Sequence, residues 1–312
     1  MTEGSPAEAL AGRLIAASGG SVRAVVLYGS RLLGARPGRD SAFDFVVLVD
    51  DYRAFYGALA SSGELHRPIW LMTALARVLP PNTIAFAPDT GHGGIAKCLI
   101  VSTAHFEHAL GPRPLDHFLL GRLVQRVHTV WARSVGDADW VAGQLAAARA
   151  GVLAWMLPYL HEPVDAAGLG RLLLEVCYRG EFRPEAEDRA HRIFEAQADH
   201  FHDAFASVLE RGAASGVLVR EGDRYRPTTP ASSPERRRWR LYFRRSKTRA
   251  TLRWFKHMVT FANWLPYVVQ KVERHTGRTI ELTRLERKLP LIFLWPRAIH
   301  VLLTRPRREI RS

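Results

Sequence analysis

The pattern of apolar and polar positions divides the chain into three parts. Through residues 1–104, short Val- and Ile-rich runs alternate with helical periodicity, which predicts strands interleaved with helices. Through 105–228, apolar residues recur at three- and four-residue spacing, which predicts helices, one of them at 118–135, with a small hairpin at the end. Residues 229–312 begin Pro- and Ser-rich and continue with arginines among large apolar residues. We therefore expect an α+β fold with a mixed α/β core, a helical domain with a small hairpin, and a linker leading to a basic amphipathic tail.

A strand, a turn and a second strand stand out within residues 25–51. The first apolar run ends at Gly29 and Ser30, and after a polar loop the second run begins at Asp44. Such a Gly-Ser pair lets the backbone approach a phosphate chain, because glycine has no side chain and serine offers an amide and a hydroxyl. An aspartate at the start of the next strand suits the magnesium that phosphates carry. The arrangement is similar to the nucleotidyltransferase superfamily, although a plain strand, turn and strand with a chance carboxylate has the same pattern.

The second strand departs from the common superfamily pattern at one position. That pattern has aspartates at i and i+2, which places both carboxylates on one face, whereas Ala42 stands two residues before Asp44. A second metal ligand would come from Asp40 in the loop or from a carboxylate on a neighbouring strand. Asp50 and Asp51 lie about 20 Å from Asp44 along an extended strand, so we interpret them as the polar exit of that strand.

The net charge is unevenly distributed. The whole chain carries +14 and has a pI near 10.5, which favours an anionic partner such as nucleotide, nucleic acid or a membrane surface. From Glu235 onward there are 21 Lys and Arg against 5 Asp and Glu, a net of +16, which leaves the first 234 residues at −2. The basicity therefore belongs to the tail.

In the tail, basic residues stand beside Trp, Phe, Leu and Tyr, which favours shallow insertion at an anionic membrane surface. Two alternatives are a further helical element packed on the core with a solvated basic face, and a nucleic-acid-binding surface. No DNA- or RNA-binding module signature appears, so we expect no nucleic-acid partner. The chain has no run of 18 apolar residues, so no plain membrane-spanning helix is expected.

Cysteine content and the N-terminus bear on the compartment. The two cysteines, Cys98 and Cys177, lie in apolar runs without metal-ligand spacing, which makes a disulfide framework or a zinc site unexpected. The N-terminus has an acidic start and no secretory signal pattern. We expect a bacterial cytoplasmic protein that lies peripherally on the inner face of the cell membrane.

Taken in order and spacing, the motifs of residues 22–228 resemble the mitochondrial translocator-assembly-and-maintenance family, the peripheral-membrane phosphatidate cytidylyltransferases or CDP-diacylglycerol synthases. The matching positions are Tyr28, Gly29, Ser30, Asp44, Phe45, Val49, Asp50, Asp51, His66, Lys97, Ser102, Thr103, Gly121, Arg122, Leu123, Tyr178 to Arg183 and Glu187 to Arg189. That family also lacks the aspartate two positions before the strand's Asp. The departures from its pattern are Arg31 for Gly, Phe55-Tyr56 for Trp-His, and Arg179 for Ser.

The resemblance implies a nucleotidyltransferase-like fold and the reaction CTP + phosphatidate giving CDP-diacylglycerol + pyrophosphate, with Mg²⁺ as cofactor. It implies nucleotide contacts from Tyr28, Gly29, Ser30 and Lys97. It implies catalytic roles for Asp44 and Lys97, with Asp44 also as the metal ligand. It implies contacts to substrate phosphates from His66, Arg122 and Arg183.

Two other classes of function fit the same residues. One is a soluble nucleotidyltransferase that modifies a protein, an RNA or a small molecule, with the tail as its docking segment. The other is a catalytically weak module that binds nucleotide or membrane, which Ala42 and Arg31 make plausible. For Lys97, Arg122 and His66, ordinary structural roles such as a strand-end lysine, an ion pair or a helix cap are the alternatives.

Overall fold

A computed structural model describes residues 5–34, 42–65, 67–86, 95–179 and 186–260. Five strands form the central sheet: β1 (Val22–Tyr28), β2 (Phe43–Val49), β3 (Asn82–Phe86), β4 (Ala96–Ser102) and β5 (His128–Ala132). Their order across the sheet is β3-β4-β2-β1-β5. Strands β2 and β4 run parallel, and the other neighbouring pairs are antiparallel. A separate hairpin consists of β6 (Leu218–Glu221) and β7 (Arg224–Pro227).

The helices fall before, between and after the strands. Those of the first half are α1 (Pro6–Ala17), α2 (Tyr52–Ser61), α3 (Ile69–Val78), α4 (Thr103–Leu110) and α5 (Leu120–Leu123). Those of the second half are α6 (Val135–Ala150), α7 (Leu153–Met156), α8 (Ala166–Arg179), α9 (Ala186–Glu195), α10 (Ala198–Ala214) and α11 (Ser233–Thr260). The predicted fold class, a mixed α/β core followed by helices, is confirmed.

The sheet is buried on both faces, which explains why its strands are apolar at nearly every position instead of alternating. Alternate residues of β2 point to opposite faces. Val46 packs with residues of α4, α5, α6 and α8, and we call this side the α6 face. Val47 packs with residues of α1, α2 and α3, and we call that side the α2 face. The α6 face joins the sheet to the later helices in one continuous core, and the residues up to Thr260 form one compact unit.

The prediction of a helix throughout residues 118–135 is wrong. The segment forms only the four-residue α5 and then β5, which pairs antiparallel with β1 and completes the sheet. The β5 sequence HTVWA is rich in β-branched and aromatic residues that favour a strand. Its apolar spacing resembles a helix only because short runs fit both periods.

The tail begins as a packed helix. After the linker, α11 extends over 28 residues and contacts β3 near its end, where Thr260 Oγ1 donates to the Thr83 carbonyl at 2.9 Å. For residues 233–260, the core-packed alternative therefore holds. The remainder of the predicted membrane-associating tail, residues 261–312, lies outside the described residues.

Within the described part of the chain, the stretch Val135–Tyr159 has the length and apolar composition that crossing a membrane would need. It is formed by α6, α7 and a short 3₁₀ turn, and its buried side chains Val141, Leu145 and Trp155 pack in the core beside the sheet. Core helices of globular domains meet the same criterion of length and composition, so this stretch is weak evidence for a membrane span.

Candidate functional site

In the turn after β1, the carboxylate of Asp44 occupies the space that a side chain at position 29 would need. Gly29 has φ of +84°, a conformation that side chains of L-residues disfavour. A Cβ atom at this position would lie 2.8 Å from Oδ2 of Asp44. The Gly29 carbonyl accepts from the amides of Leu32 and Leu33, at 3.1 and 3.2 Å, which winds the chain into a tight turn. Glycine is therefore required here both by the backbone angle and by the approach of Asp44.

Three of the predicted site residues form a row across the sheet. Tyr28 is the register partner of Asp44 on β2, and Asp44 is the register partner of Lys97 on β4. Register partners on adjacent strands point to the same face and lie about 5 Å apart. All three point to the α6 face, because Val26, Val46 and Leu99, two residues along each strand, lie in that core. The sheet therefore brings Tyr28, Asp44 and Lys97 together at one edge.

These three residues differ in exposure. Asp44 and Lys97 are partly exposed, as are Gly29 and Ser30 in the turn. Tyr28 is 8% exposed and belongs to the core of the α6 face. The turn, the carboxylate and the lysine can thus be reached by a ligand, whereas the ring of Tyr28 mainly packs beneath them.

Arg122, on α5, packs on the ring of Phe118. Its Nη1 donates to the Phe118 carbonyl at 2.6 Å, and its guanidinium carbon lies 3.9 Å from the centre of the Phe118 ring. The guanidinium of Arg253, on α11, lies 4.7 Å from the same ring. Phe118 thus holds two arginines from different helices, each stabilised by a cation–π contact.

A buried ion pair fixes α11 to the segment before α5. Asp116 Oδ2 accepts from Arg249 Nε and from Arg253 Nη2, each at 2.6 Å. Arg253 is 2% exposed, and its Nε and Nη2 also donate to the Pro80 carbonyl at 2.8 and 2.6 Å. Burial raises the pKa of the Asp116 carboxyl, but the two arginines outweigh it and the pKa falls below its ordinary value.

Lys256 continues this attachment by donating from Nζ to the carbonyls of Leu79 and Pro81, the latter at 2.7 Å. Burial, followed by the charges of Arg253 and Arg249, lowers the pKa of Lys256 to about 6. Backbone carbonyls and one carboxylate therefore hold the buried arginine and lysine side chains of α11 in place.

The next residue, His257, stands beside the row of site residues. Its Nε2 lies 3.2 Å from Oγ1 of Thr83 on β3. Burial and, after it, the charges of Lys97, Lys256, Arg253 and Arg122 lower the pKa of His257 to about 3. The imidazole is therefore uncharged at neutral pH and lies within electrostatic reach of both Lys97 and Arg122. Its Nδ1 is buried and has no hydrogen-bond partner among the described residues.

Several positions of the family-like motifs have local structural roles elsewhere. Ser102 begins α4 as its N-cap, accepting from the amide of His105, at the opposite end of β4 from Lys97. Asp51 caps α2 through the amide of Ala54 at 2.9 Å, and Asp50 accepts from Arg133 Nη1 at 2.6 Å. The interpretation of Asp50 and Asp51 as the polar exit of β2 agrees with these contacts.

The departure Phe55-Tyr56 lies away from the site. Both residues are fully buried on the α2 face, and the Tyr56 hydroxyl accepts from Asn82 Nδ2 at 2.8 Å. Arg31 lies closer, in the turn after Gly29, with its guanidinium carbon 4.5 Å from the centre of the Phe43 ring. Of these two departures, Arg31 is the one positioned to affect a ligand at the turn.

Three predicted positions lie outside the described residues: His66 and Arg183, assigned to substrate phosphates, and Asp40, the candidate second metal ligand. Their assignments remain predictions. Gly121 and Tyr178 are described and pack α5 against α8: a Cβ on Gly121 would lie 3.2 Å from Cys177 Sγ, and Tyr178 packs against the same core.

The sheet edge offers the Asp44 carboxylate as an oxygen ligand of the kind that Mg²⁺ requires. No group of three or more His, Cys, Asp or Glu side chains suited to a metal occurs among the described residues. Magnesium on nucleotides is usually bound through one or two carboxylates together with substrate phosphates and water. Asp44, which lies against a glycine turn able to receive phosphates, fits that minimal requirement.

Comparisons with known proteins identify no family for this chain. No family model matches the chain, and no curated protein matches it. Among solved structures, the chain is similar to one described as "Crystal structure of the toxin-antitoxin with AMP-PNP", at 16% identity and a TM-score of 0.26. The match covers 48% of this chain and 91% of that chain. A similarity of this size carries no argument about function.

Asp116, Arg253 and His257 were not anticipated from the sequence as neighbours of the site. Arg253 and His257 lie more than 150 residues from Lys97 along the chain, in a segment whose basic and aromatic content indicated a membrane surface. A signal that could have pointed to Arg253 is the spacing of three and four residues among Arg249, Arg253, Lys256 and Thr260, which places these four on one face of a helix.

Proposed function

We propose that the protein is a nucleotidyltransferase and, more specifically, a phosphatidate cytidylyltransferase that uses CTP at an anionic membrane surface. The observation that carries the proposal is the turn at Gly29. The carboxylate of Asp44 occupies the space that a side chain at position 29 would need, and Lys97 is the register partner of Asp44. Phosphate chains need close backbone approach, a metal-binding oxygen and a cation. The three residues supply one each.

Nucleotide binding is assigned to the turn. The backbone at Gly29 leaves room for a triphosphate, and Ser30, partly exposed, offers its amide and hydroxyl. Asp44 would hold Mg²⁺ when it is bound, and the ion would neutralise phosphate charge there. Arg31, the departure from the family-like motif, adds a positive charge at the far side of the turn.

In the reaction, an oxygen of the acceptor's phosphate forms a bond to the α-phosphorus of CTP, and the bond from that phosphorus to the bridging oxygen of pyrophosphate breaks. The attacking phosphate is already anionic near neutral pH, so no strong general base is needed. Lys97 offsets the negative charge that accumulates around the α-phosphorus. Positioning and charge neutralisation supply most of the rate in such transfers.

The specific acceptor rests on the family resemblance and on the basic, aromatic character of the tail. On α11, exposed Arg240, Arg244 and Arg245 lie near exposed Leu241, and the exposed apolar residues Leu252, Trp254 and Phe255 follow toward the end of the helix. Basic and aromatic side chains on one surface suit anionic headgroups and the interfacial layer. The inner face of α11 meanwhile packs on the core, so the helix would present the catalytic unit to the lipid surface.

The test is incubation of the full chain with Mg²⁺, α-labelled CTP and vesicles that contain phosphatidate. We expect label to enter the organic phase only when phosphatidate is present. Replacement of CTP by ATP, GTP or UTP measures the base preference. Nucleotide hydrolysis or transfer without any labelled lipid would contradict the lipid acceptor and leave a nucleotidyltransferase with a different one.

A further inference from the structure

The end of α11 lies against the strand next to Lys97. The His257 side chain is hydrogen-bonded to that of Thr83. Thr83 is the register partner of Leu99, two residues beyond Lys97 on β4. Thr83 and Lys97 are thus diagonal neighbours on the α6 face, a separation of about 7 to 8 Å between Cα atoms. His257 therefore stands over the β3 side of the site, whereas the Gly29 turn stands over the β1 side.

The surroundings of His257 are electropositive. Lys97, Arg122, Arg253 and Lys256 all act on its imidazole, and Arg122 and Lys97 are partly exposed. An uncharged imidazole beside Lys97, Arg122 and Arg253 costs less than a further cation would, and it still offers a donor or an acceptor. Its Nδ1, buried and without a partner among the described residues, is the kind of polar atom that requires a bound group or a water.

The position of His257 is fixed by its neighbours on the helix. Arg253, one turn earlier, is held by Asp116 and the Pro80 carbonyl, and Lys256 by the carbonyls of Leu79 and Pro81. Thr260, three residues later, donates to the Thr83 carbonyl. A side chain supported on both sides in this way is preorganised for binding.

The order of the groups across the sheet suits transfer to a second phosphate. From β1 to β3 the sequence is the Gly29 turn, Asp44, Lys97 and then His257 above Thr83. In phosphoryl and nucleotidyl transfer, the attacking and leaving oxygens lie roughly in line on opposite sides of the reacting phosphorus. If pyrophosphate leaves on the side of the Gly29 turn, the acceptor must approach from the side of His257.

Resting on the proposed function, we propose that His257, together with Lys97 and Arg122, binds the phosphomonoester group of the acceptor. The C-terminal helix thereby forms a wall of the active site in addition to attaching the tail. Trp254, which is 53% exposed and three residues before His257, lies about 4.5 Å from it along the helix axis and on a neighbouring face. An acceptor with its phosphate at His257 would place an apolar tail beside this ring, so the ligand is a lipid phosphate.

The test compares the wild-type chain with His257→Gln, which keeps a polar side chain of similar length. His202→Gln is the matched control, because His202 is an exposed histidine on α10. Calorimetry with dihexanoyl phosphatidate, which is soluble as a monomer, and separately with CTP measures the two subsites. We expect His257→Gln to weaken phosphatidate binding about tenfold or more, as for a lost hydrogen bond to a charged group, with CTP binding unchanged.

Steady-state kinetics supply a second measurement. His257→Gln should raise KM for phosphatidate with little change in KM for CTP. Thr83→Val should do the same to a smaller extent, because it removes only the hydrogen bond that holds the His257 imidazole in place. A purely structural role would lower the thermal midpoint and affect both substrates together. Equal phosphatidate affinity and KM in wild type and His257→Gln, with transfer intact, would overturn the inference and leave the proposed function standing.

The converse outcome separates the two proposals. If the wild type transfers no label to lipid but binds dihexanoyl phosphatidate through His257, the proposed function fails and the phosphate site stands. Glycerol 3-phosphate, which carries the phosphomonoester without acyl chains, should bind more weakly than dihexanoyl phosphatidate. Equal binding would overturn the assignment to a lipid phosphate in favour of a free one.

Discussion

Two charged clusters lie near the same sheet, and they differ in how their charges are held. In the Asp44 cluster, comprising Gly29, Asp44 and Lys97, the charged side chains are partly exposed and surround a glycine turn with a positive φ. In the Asp116 cluster, comprising Asp116, Arg249, Arg253 and Lys256, all but Arg249 are buried, and the side chains are hydrogen-bonded to one another or to carbonyls.

The difference indicates different roles. Buried ion pairs are costly to break because each partner has lost its hydration, so the Asp116 cluster fixes where α11 lies. Charges at a partly exposed edge keep part of their hydration and can exchange it for a ligand. Substitutions in the Asp44 cluster are therefore expected to lower the activity of the protein, and substitutions in the Asp116 cluster to lower its stability.

The largest effect is expected from Asp116→Asn. Removing the charge leaves Arg253 buried without its counterion, which should lower the free energy of unfolding by about 3 to 5 kcal/mol. Urea denaturation followed by circular dichroism measures it. Asp203→Asn, at an exposed position of α10, is the control and should change stability by less than about 0.5 kcal/mol.

The same ion pair predicts a pH dependence. The pKa of Asp116 is lowered in the folded protein, so its contribution is present above the ordinary value of 3.8 and is lost as the pH falls through the folded pKa. Wild type should therefore lose stability below pH 3.8 more steeply than Asp116→Asn. Parallel curves for the two proteins would contradict the assignment of the ion pair.

Asp44→Ala should abolish most of the turnover, with a loss of at least about 100-fold, equivalent to about 2.7 kcal/mol of transition-state stabilisation. The fold should persist, since Asp44 is partly exposed. Asp50→Asn is the control at the opposite end of the same strand, where the carboxylate only pairs with an exposed arginine. Turnover in Asp44→Ala equal to that of Asp50→Asn would remove Asp44 from the site.

Gly29→Ala separates backbone strain from the approach of Asp44. The positive φ should cost about 1 to 2 kcal/mol of stability, and the new methyl group would displace the Asp44 carboxylate. Gly34→Ala is a close control, because its φ is +63° but no atom lies within 4 Å of the added Cβ. We expect similar losses in thermal stability for both and loss of activity for Gly29→Ala alone.

The smallest effect on stability is expected from Trp254→Ala, at about 0.5 kcal/mol or less. If the outer face of α11 contacts lipid, the fraction of Trp254→Ala that sediments with anionic vesicles should nevertheless fall severalfold. Trp70→Ala on α3 is the control, since that tryptophan is 72% exposed in another part of the fold. Equal sedimentation of the two variants would contradict the membrane contact of this face.

The sequence was informative where the relevant signal is local. The apolar runs of β1, β2, β3 and β4 predict strands, and the hairpin and the long helices follow from their periods and turn residues. It misled at β5, where His128–Ala132 fits a helical period but pairs with β1. A short apolar run fits either a strand or a helix. This segment forms a strand because the edge of β1 is there to pair with it.

For the site, the sequence alone pointed to the Gly29 turn and Asp44, because a glycine turn and a strand-start aspartate have recognisable local surroundings, whereas Lys97 was assigned through the family resemblance. Only the tertiary structure decided that Tyr28, Asp44 and Lys97 are register neighbours, since strand pairing depends on the whole sheet. It alone placed His257 over Thr83, because that contact joins residues 174 positions apart and is set by the buried attachment of α11. Local chemistry can be inferred from a segment, whereas the meeting of distant segments depends on packing that no segment contains.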